Sequence, residues 1–194
     1  MSKPRMHFVL DIETTGVSPG CGVLEIGLAG IHEGEDRLGT KEYFSSRANI
    51  ESVRSLGYRF DEDTMDWWSK QDGFTRFSSW SGSAIEMFQE FQRYLSNYEV
   101  LTMWGNGVDF DQPILAAAMS YLGYQVPWDF RANRCFRTVK NLWREEFKTA
   151  QATINHETLE WPAHYAVSDA SVELLQLLYI HEQNIELGLR GILR

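Results

Sequence analysis

Short apolar runs separated by turn-forming residues mark the first half of the chain. One run at residues 7–10 stops at the acidic Asp11, and two more occupy residues 22–31 and 41–45. Their lengths and their boundaries are typical of strands. Two hairpin-like connections in succession predict that these strands form an antiparallel part of a sheet, and residues 100–104 predict a further strand.

The second half of the chain has apolar residues at helical spacing. Helices are predicted at residues 83–98, 109–122, 138–147 and 168–182. The last of these is apolar on nearly every side, which predicts a well-buried helix. A shorter helix is predicted directly after Asp61, a good N-cap residue, and this helix carries two tryptophans.

The order of these elements is three strands, a helix, a strand and three helices. It predicts one α/β domain built on a mixed sheet. A chain of 194 residues suits a single core. We therefore expect one domain over residues 1–194, in which residues 46–82 form an insertion that carries the short tryptophan-bearing helix.

Composition argues against several classes of protein. The formal net charge of −9 lacks the overall basic character of a protein that coats DNA. Runs of about 18 apolar residues are missing, and the first apolar run is too short for a signal peptide, so no membrane association is expected. Cys21 and Cys135 are too few for a disulfide framework or a cysteine zinc site. These features predict a reduced, cytoplasmic protein.

Two carboxylates stand at the end of the first predicted strand, in Asp11-Ile12-Glu13. Strand residues two apart share a face, so both carboxylates leave the strand on one side. Two anions this close repel each other unless a cation lies nearby. The alternative interpretation is that both are solvated loop charges.

A second acidic pair, Asp109 and Asp111, lies at the start of the helix predicted at residues 109–122. Asp109 and Gln112 fit a capping box, which gives Asp109 a structural role. Asp111 has no capping role and is free to point toward the sheet. Asp109 could compete with it as the functional acid, but the capping argument favours Asp111. The alternative for Asp111 is a surface acid that complements the helix dipole.

A histidine and an acid lie near the start of the last helix. On one regular helix, His164 and Asp169 would point about 140° apart. With Ser168 as N-cap, His164 is predicted on a loop and Asp169 at the beginning of the helix. The histidine can then swing over a site that Asp169 lines. The alternative is an ordinary surface or capping histidine.

Together these residues match a two-metal phosphodiesterase. Mg²⁺ and Mn²⁺ prefer carboxylate oxygens and water. Two such ions can hold the attacking and leaving oxygens of an in-line displacement. An imidazole near neutral pH can take the proton of the attacking water.

The motifs resemble those of the DEDDh 3′–5′ exonucleases, the DnaQ-like group of the ribonuclease H-like fold. Residues 11–16 (DIETTG) resemble the first motif, and Phe110-Asp111 resembles the second. His164 and Asp169, with four residues between them, resemble the third. The first motif alone is moderately specific, and the three together are strongly so.

The motifs follow the order of that family over about residues 7–180, which is most of the chain. The resemblance implies a ribonuclease H-like mixed sheet flanked by helices, with two bound Mg²⁺ or Mn²⁺ ions. It also implies that His164 deprotonates the attacking water. The implied metal ligands are Asp11, Glu13, Asp111 and Asp169.

A narrower resemblance connects the chain to a bacterial and phage exonuclease branch, some members of which act on RNA. It rests on residues 61–71 (DEDTMDWWSKQ), 104–107 (WGNG) and 134–138 (RCFRT). The choice between RNA and DNA stays open, with RNA slightly favoured.

Substrate contacts are suggested at several further positions. The resemblance implies that the backbone at Thr14 and Thr15 meets the 3′-terminal nucleotide. Adjacent helix residues point about 100° apart, so the two tryptophans cannot serve equally. We expect Trp67 in the core and Trp68 as the residue that stacks on a base. Trp104 is expected to pack.

Two charged features have open interpretations. Arg137 lies in a basic cluster with Arg131 and Arg134 and is a candidate phosphate contact. The alternative is a solvated loop whose arginines pair with Glu145 or Glu146. Glu25 either adds negative potential beside the Asp11 motif or is an acid facing the edge of the sheet.

The leading hypothesis is a metal-dependent 3′–5′ exonuclease. It would release nucleoside 5′-monophosphates from single-stranded 3′ ends of RNA or DNA, a product that the resemblance implies. One alternative is a catalytically inactive nucleic-acid-binding module of the same fold. Another is an assembly partner that uses the aromatic residues of segment 58–80. Related enzymes often dimerise, so a homodimer is compatible with this hypothesis.

Overall fold

A five-stranded mixed sheet is the centre of the computed structural model, which describes residues 2–107, 109–186 and 193. The antiparallel half follows order β3-β2-β1, and β4 and β5 extend it in parallel beyond β1. The predicted mixed sheet with an antiparallel first half is confirmed. The strands are β1 (Arg5–Thr14), β2 (Val23–His32), β3 (Lys41–Arg47), β4 (Glu99–Gly105) and β5 (Asn133–Cys135).

Helices cover both faces of this sheet. The helix predicted at residues 138–147 is two helices, because the backbone of Trp143 leaves the helical region (φ −116°, ψ 56°). In the described part of the chain, the helices are α1 (Ile50–Ser55), α2 (Glu62–Ser69), α3 (Thr75–Ser79), α4 (Ala84–Leu95), α5 (Asp111–Tyr121), α6 (Phe136–Leu142), α7 (Arg144–Thr153), α8 (His156–Leu159) and α9 (Ala166–Glu186), with a 3₁₀ turn at Phe130–Ala132.

Alternation along β1 divides the core into two layers. Phe8 and Leu10 pack on one face, where α4 and α5 cover the sheet. Val9 packs on the other face against α9. Because side chains alternate along a strand, Asp11 and Glu13 lie on the same face as Val9 and therefore look toward α9.

A glycine in β2 lets the start of α9 lie directly on the sheet. A Cβ added at Gly27 would stand 2.1 Å from the carbonyl carbon of Ala166 and 2.2 Å from the nitrogen of Val167. A side chain there would push α9 away, because both neighbours are backbone atoms. Leu174, Leu177 and other apolar residues of α9 are fully buried, which confirms the prediction of a buried helix.

The segment 46–82 contains α1, α2 and α3 and joins the main core. Val53, Trp68 and Phe77 from these helices belong to the same buried cluster as the residues of β1. Asp61 precedes α2 as predicted, but its carboxylate does not cap the helix. It accepts a hydrogen bond from the Val17 nitrogen at 3.2 Å instead.

Within the described part of the chain, none of the helices has the length and apolar character needed to cross a membrane.

Candidate active site

The last residues of β1 present two carboxylates to α9. Asp11 is half-buried and Glu13 is buried. Both lie within the strand, so the prediction that they share a face is confirmed. The pairing with β2 is irregular between Glu13 and Thr14, so the strand changes register directly after the motif.

Asp111 opens α5 and is only 2% exposed. Its Oδ2 accepts a hydrogen bond from the Asn106 nitrogen at 3.1 Å. The predicted capping box of Asp109 is wrong, because Phe110 occupies the N-cap position and Gln112 donates to the Met103 carbonyl. Asp109 is exposed and so leaves Asp111 as the acid that is buried beside the site.

His164 and Asp169 meet Glu13 at the start of α9. The helix begins at Ala166, before the predicted N-cap at Ser168. His164 lies on the preceding loop, as predicted, with a left-handed φ of 60°. One ligand atom each of Glu13, His164 and Asp169 lies within 4.8 Å of the other two. The fold thus brings the first and third motifs together.

All four acids have raised pKa values, and burial is the largest cause in each case. Burial raises the pKa of Asp11, and the charges of Asp111 and Glu13 raise it further. Burial and the charge of Asp169 raise the pKa of Glu13 to about 8. Burial likewise raises the pKa of Asp111 to about 7 and the pKa of Asp169 above its ordinary value. The cluster is therefore short of positive charge.

Glu25 shares the face of Glu13, and its charge adds to burial and to the charge of Asp169 in raising the pKa of Glu13. The interpretation that it adds negative potential beside the motif is therefore supported, and the interpretation as an acid facing the sheet edge is wrong. Glu25 faces the site side of the sheet, opposite Glu13 in the register of β1 and β2, and is fully buried. Its Oε2 accepts hydrogen bonds from the Nε and Nη2 of Arg76 at 3.1 and 2.9 Å. Arg47 lies 3.3 Å from its Oε1. Two arginines therefore offset the negative charge of Glu25.

Arg76 also supports the loop that carries His164. Its guanidinium donates to the carbonyl oxygens of Gly73 and His164. It lies 4.1 Å from the ring centroids of Phe77 and Tyr165. These contacts hold the backbone of His164 while the imidazole faces the acids.

A cavity of about 690 Å³ surrounds the site. Asp11, Glu13, Asp169 and His164 line it directly. Asp111 is buried beside Asp11, and its neighbours Phe110 and Asn106 line the cavity.

The two tryptophans of α2 have the reverse of the expected burial. Trp68 is 1% exposed, and its Nε1 donates to the Thr14 carbonyl at 2.9 Å. Trp67 is 41% exposed, and its ring centroid lies 4.9 Å from that of His164. The placement of Trp67 in the core is therefore wrong. Both rings line the cavity, and Trp67 is the more exposed of the two. Trp104 packs in the core as expected.

The predicted substrate contacts are only partly placed at the cavity. Thr14 lines it. Thr15 is buried outside it, because its nitrogen donates to the Gly22 carbonyl and its carbonyl accepts from the Asp61 nitrogen. Arg137 also stands outside the lining and donates to the Asn106 carbonyl at 2.8 Å.

The predicted ion pairs of the basic cluster are not those observed. Arg131 pairs with Asp129 at 3.4 Å, and Glu145 pairs with Lys148 at 2.8 Å. The guanidinium of Arg134 donates to the Arg131 carbonyl. Arg131 and Arg134 therefore fit the solvated-loop interpretation, although with different partners.

Three titratable residues of the cavity, outside the quoted motifs, were not identified from the sequence. His156 places Nε2 2.7 Å from Oδ1 of Asp169. Burial raises the pKa of Glu173 to about 8, and Lys140 Nζ lies 3.8 Å from its Oε1. Glu173 follows Asp169 by one helical turn, a spacing that indicates a shared face. No comparable signal connects His156 or Lys140 to the motifs.

The acids fit hard divalent cations. Oε1 of Glu13 is buried without a hydrogen-bond partner among the described residues. An orphaned buried oxygen is costly, and here it stands beside other carboxylates with raised pKa values. Carboxylate oxygens are the ligands that Mg²⁺ and Mn²⁺ prefer.

Comparisons with known proteins agree with this geometry. Residues 6–180 match the family model described as 3′-5′ exoribonuclease Rv2179c-like domain. No curated protein matches the chain. Among solved structures, the chain is similar to Exonuclease I, with a TM-score of 0.68 and 11% identity over 94% of this chain and 42% of that one.

Two further solved structures share the fold. The nuclease domain of 3′hExo, a DEDDh family member, has a TM-score of 0.58 and 9% identity over 100% of this chain and 98% of that one. Cell-death related nuclease 4 (CRN-4) has a TM-score of 0.56 and 14% identity, covering 96% of this chain and 65% of that one. The chain thus spans less than two thirds of CRN-4 and of Exonuclease I. The predicted ribonuclease H-like fold is confirmed.

Proposed function

Because the chain belongs to the Rv2179c-like 3′-5′ exoribonuclease domain family, we propose that it removes nucleotides from single-stranded RNA 3′ ends as 5′-monophosphates. The proposal includes dependence on two divalent ions, Mg²⁺ or Mn²⁺. RNA is preferred to DNA here because the family description is that of an exoribonuclease.

The convergence of the four acids in one place carries the proposal. Asp11 and Glu13 come from β1, Asp111 from α5 and Asp169 from α9. Burial and the charges of the other three acids raise the pKa of Asp11, and Glu13 has a buried oxygen without a partner among the described residues. Such a cluster is costly in a folded protein unless it serves to bind cations.

The roles of the residues follow from their positions. Asp11, Glu13, Asp111 and Asp169 would hold the two ions, which supply a polarised water and stabilise charge on the phosphate. The His164 ring lies beside Glu13 and Asp169 and would take the proton from that water. Arg76 holds the His164 carbonyl, so the ring is presented from a fixed backbone.

The open face of Trp67 would stack on the terminal base. The ligands of two solved structures that share the fold support a nucleotide or nucleic-acid ligand. The 3′hExo nuclease domain was solved with rAMP, and E. coli Exonuclease I was solved with a dT13 oligonucleotide.

Matched RNA and DNA oligonucleotides labelled at the 5′ end would test the proposal. With Mn²⁺ or Mg²⁺, the wild-type protein should shorten the RNA one nucleotide at a time, and chelator should stop the reaction. Asp111→Asn is the control for a contaminating nuclease. Equal activity in wild type and Asp111→Asn would refute the catalytic assignment.

Binding without hydrolysis would instead support the alternative of an inactive nucleic-acid-binding module. Faster shortening of DNA than of RNA would keep the exonuclease and remove the RNA preference.

A further inference from the structure

One cation stands in the wall of an otherwise acidic cavity. Lys140, on α6, is the single lysine or arginine among the described residues that line it. Its side chain is 21% exposed, and its Nζ lies over the rings of Phe136 and Phe147, at 4.5 and 5.1 Å from their centroids. The two aromatic rings attract the ammonium group and limit its movement.

Asn106 connects this ammonium group to the acids. Its side-chain Oδ1 accepts a hydrogen bond from Lys140 Nζ at 3.1 Å, and its backbone nitrogen donates to Asp111 at 3.1 Å. The ammonium group is therefore held at the Asp111 side of the cavity. An ammonium group has three donors, and among the described residues Lys140 uses one in a hydrogen bond.

Glu173 is close to Lys140 but does not form a hydrogen bond with it. Oε1 of Glu173 lies 3.8 Å from Nζ, beyond hydrogen-bond distance, and Oε2 of Glu173 has no hydrogen-bond partner among the described residues. Arg137, on the same helix, lies outside the cavity lining, and its Nη2 donates a hydrogen bond to the Asn106 carbonyl oxygen.

We propose that Lys140 binds a phosphate of the substrate strand and is the phosphate contact of this cavity. The inference rests on the proposed function, since it places the strand across the Asp111 side of the site. A phosphodiester oxygen can accept from an ammonium group at any nucleotide, whatever its base, so the contact fits any nucleotide sequence. The chemical class of ligand is the sugar–phosphate backbone of a single strand.

The test measures affinity directly. A fluorescein-labelled single-stranded RNA is titrated with protein in Mg²⁺, in a His164→Ala background that suppresses turnover, and anisotropy gives Kd. Lys140→Met should raise Kd about tenfold, as expected for one lost charge-assisted hydrogen bond. It should also reduce the slope of log K against log salt by about 0.7.

Lys148→Met is the matched control, because Lys148 is 61% exposed, pairs with Glu145 and lies outside the lining. It should change Kd less than about twofold. Equal losses in the two variants, or no loss in Lys140→Met, would overturn the inference. Lys140→Gln replaces Lys140→Met if the latter does not fold.

A double variant separates phosphate binding from simple neutralisation of Glu173. If Lys140 only balances Glu173, adding Glu173→Gln to Lys140→Met should restore affinity and overturn the inference. If Lys140 binds phosphate, the loss of affinity should persist. Wild-type protein that binds RNA but does not hydrolyse it would refute the proposed function, while these affinities would still decide the role of Lys140.

Discussion

Glu13 and Glu25 lie opposite each other on neighbouring strands and have opposite surroundings. Both are buried on the same face of the sheet. Glu25 is bound by Arg76 and lies beside Arg47. Glu13 has an oxygen without a partner and a pKa raised to about 8 by burial and by the charge of Asp169.

The difference shows what a buried acid contributes in each case. A carboxylate enclosed by guanidinium groups is part of the fold, because removing either partner leaves a buried charge uncompensated. A carboxylate among other carboxylates destabilises the fold unless a cation is bound beside it. Glu25 therefore belongs to the structure, and Glu13 belongs to the proposed metal site.

The largest expected effect comes from exchanging each glutamate for glutamine. Glu13→Gln should lower the exonuclease rate by about 10³-fold or more, because a metal ligand is lost, and should raise the melting temperature without metal. Glu25→Gln should lower the melting temperature. Exonuclease assays with Mn²⁺ measure the rates, and calorimetry in the presence of chelator measures the melting temperatures of the two variants. A lower melting temperature for Glu13→Gln would contradict the distinction.

His164 lies between the two regions, with its carbonyl on Arg76 and its ring beside Glu13. His164→Ala should reduce the rate by about 10²–10⁴-fold, the usual contribution of a general base. Metal affinity should largely remain, since His164 is not assigned as a ligand, and titration calorimetry measures it. Loss of metal binding together with activity would make His164 a ligand instead.

The two arginines beside Glu25 should differ in their contribution to stability. Arg76→Met breaks a buried ion pair and should lower the free energy of unfolding by about 3–5 kcal/mol. Arg47→Met removes a partner whose side chain is 24% exposed and should cost about 1 kcal/mol or less. Urea denaturation measures both values. Equal losses in the free energy of unfolding would show that burial does not make the Arg76 ion pair more important than the Arg47 pair.

The smallest expected effect is a dependence of stability on pH in the absence of metal. The pKa of Glu13 is about 8 in the folded protein and near 4.5 in an ordinary glutamate. Between these values the folded protein binds more protons than the unfolded chain, so the free energy of unfolding falls as pH rises.

His7 changes stability in the opposite direction over a lower window. Burial lowers the pKa of His7 to about 4 from 6.5. Between these values the unfolded chain binds more protons at His7 than the folded protein, so the free energy of unfolding rises with pH. Above pH 6.5, the buried acids should therefore determine how the free energy of unfolding changes with pH. Denaturation at pH 6.5 and 8 should show a loss of stability in wild type, a smaller loss in Glu13→Gln and none with Mg²⁺. Equal losses in wild type and Glu13→Gln would contradict this account.

The apolar pattern predicted the long elements and missed the short ones. Four of the strands and the helices that cover the sheet follow from runs and spacings that extend over many residues. β5 has three residues, and α1, α3 and α8 have between four and six. Segments this short complete too few turns or alternations to carry a periodic signal.

The chain order of residues determined the motifs themselves: two acids that share a strand face, an acid opening a helix and a histidine on the loop before another. Only the tertiary structure decided that Trp67 is open and Trp68 buried, that Asp109 does not cap, and that Lys140 reaches the cavity. It also decided which acids are neutralised. Arg76 reaches Glu25 from 51 residues away, and electrostatic energy depends on distance in space and on burial, neither of which local sequence spacing encodes.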